Sequence, residues 1–108
     1  MKEQFIQILG NNAKTRLLEF LIVGRDFDYC LSEIANKAEI SWSSLHRIFP
    51  ELEKNKIVIK SREIGRAKLY RINKENLFAK KMIELYDSLL LNKMEENQEK
   101  QMIKIKNK

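Results

Sequence analysis

The side chains best suited to chemistry form a short cluster of hydrogen-bonding groups near the middle of the chain. The run SWSSLHR contains three hydroxyls, an indole, an imidazole and a guanidinium, at Ser41, Trp42, Ser43, Ser44, His46 and Arg47. Hydroxyls bind phosphate oxygens, and a guanidinium can form two parallel hydrogen bonds with the O6 and N7 atoms of guanine. The cluster therefore favours binding to a nucleic acid.

A second group of candidate residues is basic and follows this cluster in the chain. It comprises Lys60, Arg62, Arg66 and Lys68, within the run IVIKSREIGRAKLYRI at 57–72. Between positions 41 and 72 there are eight Lys or Arg and three Glu, a net charge of +5 out of +6 for the whole chain. Positive charge concentrated in this way favours an acidic partner, chiefly nucleic acid.

The composition argues against most other classes of function. With one histidine, one cysteine and no glycine-rich phosphate loop, the sequence offers few catalytic arrangements, and we predict that the protein is not an enzyme. Cys30 cannot form an intramolecular disulfide or a thiolate zinc site, and we predict a buried, inert thiol, no metal and no cofactor. Without a signal peptide or a long apolar run, we expect a soluble cytoplasmic protein that does not contact membranes.

Helical periodicity predicts the elements that position the first cluster. An apolar segment at 5–9 indicates a short helix, and 11–24 a longer one that Asn11 or Asn12 caps and Gly24 ends.

A helix-turn-helix is predicted next. Ser32 is predicted to cap a helix that runs to Ala38, and Ser41 a second helix that runs to Asn55. The intervening turn lacks the usual glycine, and Glu39 stands near its place.

A hairpin and a last helix complete the predicted order. β-Branched and aromatic residues on both sides of Gly65-Arg66 indicate a β-hairpin with its tip at 64–67. Asn73 is predicted to cap the last helix, over 74–94, and the polar segment 95–108 to be a frayed tail. The apolar stripe of that helix predicts a homodimer interface at Phe78, Met82, Leu85, Tyr86 and Leu89.

These runs also resemble a known family. The segments SEIANKAEISWSSLHRIFPELEKNKIV and REIGRAKLYRIN resemble archaeal winged helix-turn-helix transcriptional regulators, and ILGNNAKTRLLEFLI is similar to the start of arsenical-repressor-like regulators. The resemblance covers about residues 8–91. It implies a winged-helix fold, a dimerising C-terminal helix and a repressor or activator. Because the paired cysteines of the metal-sensing members are absent, metal sensing is not implied.

We therefore predict a mainly α fold with a small β-hairpin, in one compact unit. Residues 1–73 form the winged helix-turn-helix domain and 74–94 the dimerisation helix. The predicted partner is double-stranded DNA, with no small-molecule effector evident from the sequence. The predicted function is sequence-specific transcription regulation, with helix 41–55 in the major groove and wing 57–72 on the backbone or minor groove.

Each residue of the predicted interface has an expected role. We expect Ser41 and Ser44 to contact phosphates, Arg47 to bind guanine, and His46 to bind a base or a phosphate. Trp42 is expected to pack on a sugar or a thymine methyl. Together with Ser43, the side chains of Trp42, His46 and Arg47 are expected to face outward from the helix and to read the bases. The basic side chains of the wing are expected to reach the backbone or the adjacent minor groove.

The sequence leaves alternatives open for the effect of Pro50 and for the function. Pro50 lies inside the predicted helix and should bend it, either to suit packing or to tilt the half before it. The module is alternatively one for protein contacts, in which Trp42 is the anchor. A third possibility is binding with little sequence preference to duplex DNA, RNA or single strands, although the chain lacks the aromatic platform that single-strand binders commonly use.

Overall fold

The structure is a computed structural model that describes the backbone of residues 2–106 and the side chains of residues 4–92. Its elements, in chain order, are α1 (Lys2–Leu9), α2 (Ala13–Val23), α3 (Leu31–Ala38), α4 (Trp42–Lys54), β1 (Val58–Ile64), β2 (Ala67–Ile72) and α5 (Leu77–Lys106). The mainly helical order with a single two-stranded antiparallel sheet is the predicted fold class.

The core lies where α2, the two helices of the helix-turn-helix and the base of the hairpin meet. Its centre is formed by Leu17 and Leu21 of α2, Ile34 of α3, Leu45 of α4 and Ile72 of β2, each at most 2% exposed. Full burial of an aliphatic side chain of this size stabilises a fold by about 1.5–3 kcal/mol. This shared core fixes the positions of α4 and the hairpin relative to α2.

Two helix starts agree with the sequence prediction. The Asn12 side chain accepts a hydrogen bond from the backbone N–H of Thr15 at 3.0 Å, and so caps α2. The Ser41 hydroxyl accepts from the backbone N–H of Ser44 at 3.1 Å, and so caps α4. Each bond satisfies an N–H that the first turn of a helix leaves without a helical partner.

The predicted cap of α3 at Ser32 is wrong. The cap residue is Cys30, and the helix begins one residue later at Leu31. The start is earlier because the Glu33 carboxylate accepts a hydrogen bond from the Cys30 backbone N–H at 3.1 Å, as in a capping box. At this position Cys30 is partly exposed, so the prediction of a buried thiol is also wrong.

The predicted cap of α5 at Asn73 is wrong for a related reason. The Asn73 backbone N–H donates to the Ile57 carbonyl at 2.8 Å, which holds this residue at the end of the sheet. Asn76 is the residue that caps α5, because its side chain accepts from the Ala79 backbone N–H at 3.0 Å. The backbone of α5 is helical to Lys106, through most of the segment predicted as a tail.

The turn between α3 and α4 depends on one residue with left-handed backbone geometry. Glu39 has φ 57° and ψ 47°, in a region that non-glycine residues seldom adopt. This geometry lets the Ile40 backbone N–H donate to the Ala35 carbonyl at 3.0 Å, which closes the helix end. Ile40 then packs against the core, partly buried.

The hairpin is built on the register Val58 to Ile72, with a bulge between Lys60 and Arg62. Its two-residue tip is Gly65-Arg66, and Gly65 has a φ of +60°, which a glycine adopts without a steric penalty. This geometry confirms the tip predicted at 64–67.

The connector before α3 pairs with β2 through one isolated antiparallel bridge. The Tyr29 and Tyr70 backbones exchange two hydrogen bonds of 2.8 Å. The Tyr70 ring also lies edge to face on Phe49 of α4, with 5.0 Å between ring centroids. These contacts fasten the base of the hairpin to α4.

The long helix α5 packs on α1 and α2 through its first turns. Ala79 is buried, and the Tyr86 ring contacts the Phe5 ring of α1 edge to face at 5.6 Å between centroids. Within the described part of the chain, no helix has the length and apolar content needed to cross a membrane.

Replacing Glu39 with glycine should stabilise the protein. A left-handed conformation costs a non-glycine residue about 1–2 kcal/mol, part of which glycine returns as greater entropy of the unfolded chain. We expect the free energy of unfolding of Glu39→Gly to rise by about 0.5–1 kcal/mol, measured by urea unfolding at an unchanged m-value. Lys37→Gly, inside α3, should instead lower it by about 1 kcal/mol. Destabilisation by Glu39→Gly would contradict the turn geometry.

Candidate nucleic-acid interface

Helix α4 buries one side and presents the other to solvent. Its buried side is formed by Leu45, Ile48, Phe49 and Leu52, which recur at helical spacing. Its exposed side carries Trp42, Ser43, His46 and Arg47. The outward direction predicted for these four side chains is therefore correct.

The two aromatic rings on this exposed side are in contact. Trp42 and His46 are one turn apart, and their rings lie edge to face with 4.4 Å between centroids. Trp42 nevertheless remains 53% exposed. An indole fixed in this way offers a flat apolar surface at little cost in side-chain entropy.

The three hydroxyls at the amino end of α4 form one small network. Besides capping the helix, Ser41 Oγ donates to Ser44 Oγ at 2.9 Å and lies 3.2 Å from Ser43 Oγ. Both Ser41 and Ser43 are exposed, but the Ser41 hydroxyl takes part in three contacts, whereas among the described residues the Ser43 hydroxyl contacts only Ser41. Among the three, Ser43 is best placed to meet an external partner.

Pro50 lies inside α4 without ending it. The helix is continuous from Trp42 to Lys54. Because proline has no N–H, the His46 carbonyl lacks its helical donor, and Pro50 is itself exposed. The proline therefore lies on the solvent side of a helix that continues past it.

The four basic residues predicted on the wing fall into two pairs. Lys60 Nζ lies 2.8 Å from the Glu63 carboxylate, and Arg62 Nε lies 2.8 Å from the Asp28 carboxylate. Arg66 and Lys68 are exposed, and within the described residues neither forms an ion pair. Arg66, at the tip, is thus the most available of the four to a partner, whereas Lys68 lies opposite Glu63 in the register of the strands without an ion pair to it.

Asp28 is a site residue that the sequence did not reveal. Its carboxylate accepts hydrogen bonds from Arg62 Nε at 2.8 Å, Arg62 Nη2 at 3.2 Å and Ser61 Oγ at 2.6 Å. The hydrogen bond from Arg62 and then that from Ser61 lower the pKa of Asp28 from 3.8 to about 2. Because Ser61 lies in the bulge of β1, these bonds fasten the bulged strand to the connector before α3.

The predicted dimerisation stripe on α5 is divided between two environments. Phe78 and Leu85 are 52% and 39% exposed. Met82, Tyr86 and Leu89 are partly buried and pack against the chain's own core. The surface of α5 left for a partner is therefore narrower than the stripe that the sequence shows.

Two further observations concern ligands. The described residues contain no group of three or more His, Cys, Asp or Glu placed to hold a metal ion. A groove of about 320 Å³ lies between the amino end of α2 and α4, and Arg47 is among its lining residues.

The structure is similar to solved structures of winged helix-turn-helix proteins. No protein-family model and no curated protein matches the sequence. An apo double mutant of ZitR from Lactococcus lactis superposes with a TM-score of 0.63 at 18% identity, over 82% of this chain and 69% of that one. Wild-type ZitR in complex with DNA gives 0.55 at 16% identity, over 75% of this chain and 57% of that one.

Two other similar structures are those of NadR and AntR. NadR in complex with 4-hydroxyphenylacetate has a TM-score of 0.61 at 19% identity, over 98% of this chain and 77% of that one. The antimony-specific transcriptional repressor AntR has 0.56 at 20% identity, over 87% and 78%. These likenesses show that the chain has the winged helix-turn-helix fold.

The contact between Asp28 and Arg62 can be tested by titration. Because the pKa of Asp28 is lowered in the folded protein, the contribution of this contact to the free energy of unfolding is complete above pH 3.8. That contribution is lost as the pH falls toward 2. In Arg62→Met we expect the pKa of Asp28, followed by carboxyl-carbon NMR, to rise toward 3.8 but not to reach it, because Ser61 still donates. Lys81→Met removes a different ion pair, with Glu84, and should leave that pKa unchanged. An unshifted pKa in the unsubstituted protein would contradict the contact.

Proposed function

We propose that the protein is a sequence-specific regulator of transcription that binds double-stranded DNA as a homodimer. The observation that carries the proposal is that two surfaces suited to contact DNA are both exposed to solvent. The outward side of α4 and the wing tip, with unpaired Arg66 and Lys68, both lie open to solvent on one winged-helix frame. The DNA in the ZitR complex is consistent with this use of the fold.

In this proposal the first half of α4 enters the major groove. Ser43 contacts a base edge, and the Trp42–His46 ring pair packs on a sugar or a thymine methyl. Ser41 acts mainly by capping the helix, which orders the backbone beside the phosphates. Ser44 contributes a hydroxyl at the same end.

The wing reaches the DNA with its tip. Arg66 and Lys68 contact the backbone or the adjacent minor groove. Arg62 and Lys60, which are bound to carboxylates of the same protein, act mainly by holding the wing in position.

Dimerisation uses the exposed apolar residues of α5. Phe78 and Leu85 are one side of this surface, and Leu77 and Leu91 are 70% and 60% exposed on the same helix. A two-fold dimer would present two copies of α4 to major-groove faces about one helical turn apart.

The DNA-binding proposal is tested with the full-length protein. Genomic fragments are selected for binding, the preferred site is footprinted, and affinity is measured at several salt concentrations. The slope of log affinity against log salt is negative, and each phosphate contact contributes about 0.9 to its magnitude. If Arg66 and Lys68 contact phosphates, that magnitude should therefore fall by about 1.8 in Arg66→Ala/Lys68→Ala. Lys74→Ala, which removes an exposed lysine paired with Asp26 outside α4 and the wing, is the control.

Two results would contradict the proposal. Equal affinity for all fragments would leave an architectural, sequence-independent role. DNA affinity that stays unchanged when Arg47 and Arg66 are both replaced by alanine would favour the alternative of a protein-binding module anchored by Trp42.

Dimerisation is tested by analytical ultracentrifugation. We expect a dimer, and we expect Phe78→Glu/Leu85→Glu to be monomeric, because two carboxylates on each protomer would be desolvated in the interface. Val23→Glu changes an apolar residue of similar exposure, 54%, on α2, and should leave the dimer intact. A double variant that remains dimeric, with an unchanged circular dichroism spectrum, would place the interface elsewhere.

A further inference from the structure

The groove between α2 and α4 is lined by residues of α4 and by residues at the start of α2, which lies outside the helix-turn-helix. Its volume is about 320 Å³, and its lining is formed by Asn12, Ala13, Lys14, Arg47, Ile48 and Glu51. The two helices that form its walls are fixed by the buried core between them. The groove is therefore a stable feature of the fold.

Two cations face this groove from opposite walls. Lys14 stands in the first turn of α2 and Arg47 in the middle of α4, and both are exposed. Within the described residues, neither side chain forms an ion pair, in contrast to Lys60 and Arg62 of the wing. Glu51 is the one acidic residue in the lining, so the groove keeps a net positive charge.

The helical geometry of α4 separates Arg47 from the ring pair. Arg47 and Glu51 are four residues apart, so they share one flank of the helix, and both line the groove with α2. Trp42 and His46 are also four residues apart and share the other flank, where their rings are in contact. Ser43 lies between the two flanks on the most outward line of the helix.

We propose that Lys14 and Arg47 form a joint binding site for one phosphodiester group of the DNA backbone beside the major groove. The proposal rests on the DNA-binding function above and revises one role predicted from the sequence. Arg47 holds the backbone and thereby sets the depth and register of α4, whereas Ser43 and the ring pair contact the bases. The partial positive charge at the amino end of α2 adds to the attraction that the two side chains provide.

A phosphate contact and a base contact leave different signatures. Loss of a phosphate contact weakens binding to every sequence alike and lowers the salt dependence, whereas loss of a guanine contact relaxes discrimination at one base pair. Measurements on the selected site and on all its single-base-pair variants, at about 50 mM and about 200 mM salt, therefore separate the two roles.

We expect Lys14→Ala and Arg47→Ala each to reduce the slope of log affinity against log salt by about 0.9. The ratio of affinities at the two salt concentrations should then shrink by about 3.5-fold for each variant, with the ranking of the site variants unchanged. Alanine is a good helix former at both exposed positions, and circular dichroism checks the fold. Lys74→Ala, which removes an exposed lysine paired with Asp26, should change neither slope nor ranking.

Each other outcome overturns the inference. If Arg47→Ala abolishes discrimination at one base pair and keeps the slope, Arg47 binds a base and the proposed regulator stands without this site. If Lys14→Ala leaves affinity and slope unchanged, the groove does not hold a phosphate. An unsubstituted protein that binds no duplex DNA at about 50 mM salt overturns both this inference and the proposed function.

Discussion

The burial of one side of α4 is the constraint on which the interface depends. Leu45, Phe49 and Leu52 are each at most 3% exposed, and a helix so anchored cannot rotate about its axis without exposing them. Every outward side chain of α4 is thereby assigned a direction. The ring pair takes one flank, Arg47 takes the other, and Ser43 lies between them.

The wing is positioned by the same core. Tyr70 is buried on Phe49 of α4 and exchanges backbone hydrogen bonds with Tyr29, so the base of the hairpin is fixed relative to α4. Farther out, where the strands have no core to cover them, Asp28 replaces apolar packing with hydrogen bonds to Ser61 and Arg62. The contacts that hold the wing to the rest of the protein therefore decrease along its length, from packed rings at the base to an ion pair and then to an exposed tip.

Local patterns predicted the elements well, and non-local contacts account for what the sequence could not show. The caps at Asn12 and Ser41 need only a side chain and an N–H within three residues, and both predictions are confirmed. The error at Asn73 is a shift of three residues with a non-local cause, because the hydrogen bond to Ile57 holds Asn73 at the end of the sheet. The error at Ser32 is the exception, because the bond between Glu33 and the Cys30 backbone that moves the start by two residues is itself local. Helical periodicity alone also could not show which apolar residues of α5 pack on the core and which remain exposed.

The basic charge itself shows the limit of reasoning from composition. Eight cations between positions 41 and 72 indicated a nucleic-acid partner, but a count does not distinguish a cation held by the fold from one available to a ligand. Arg62 lies opposite an aspartate 34 residues away, and Arg47 lies across a groove from a lysine on α2. The first pairing neutralises charge and fixes the wing, whereas the second concentrates charge that a bound phosphate would neutralise. Arginine thus meets a carboxylate on the wing and a second cation beside α4, and the residue that the fold brings to it decides whether its charge is neutralised within the protein.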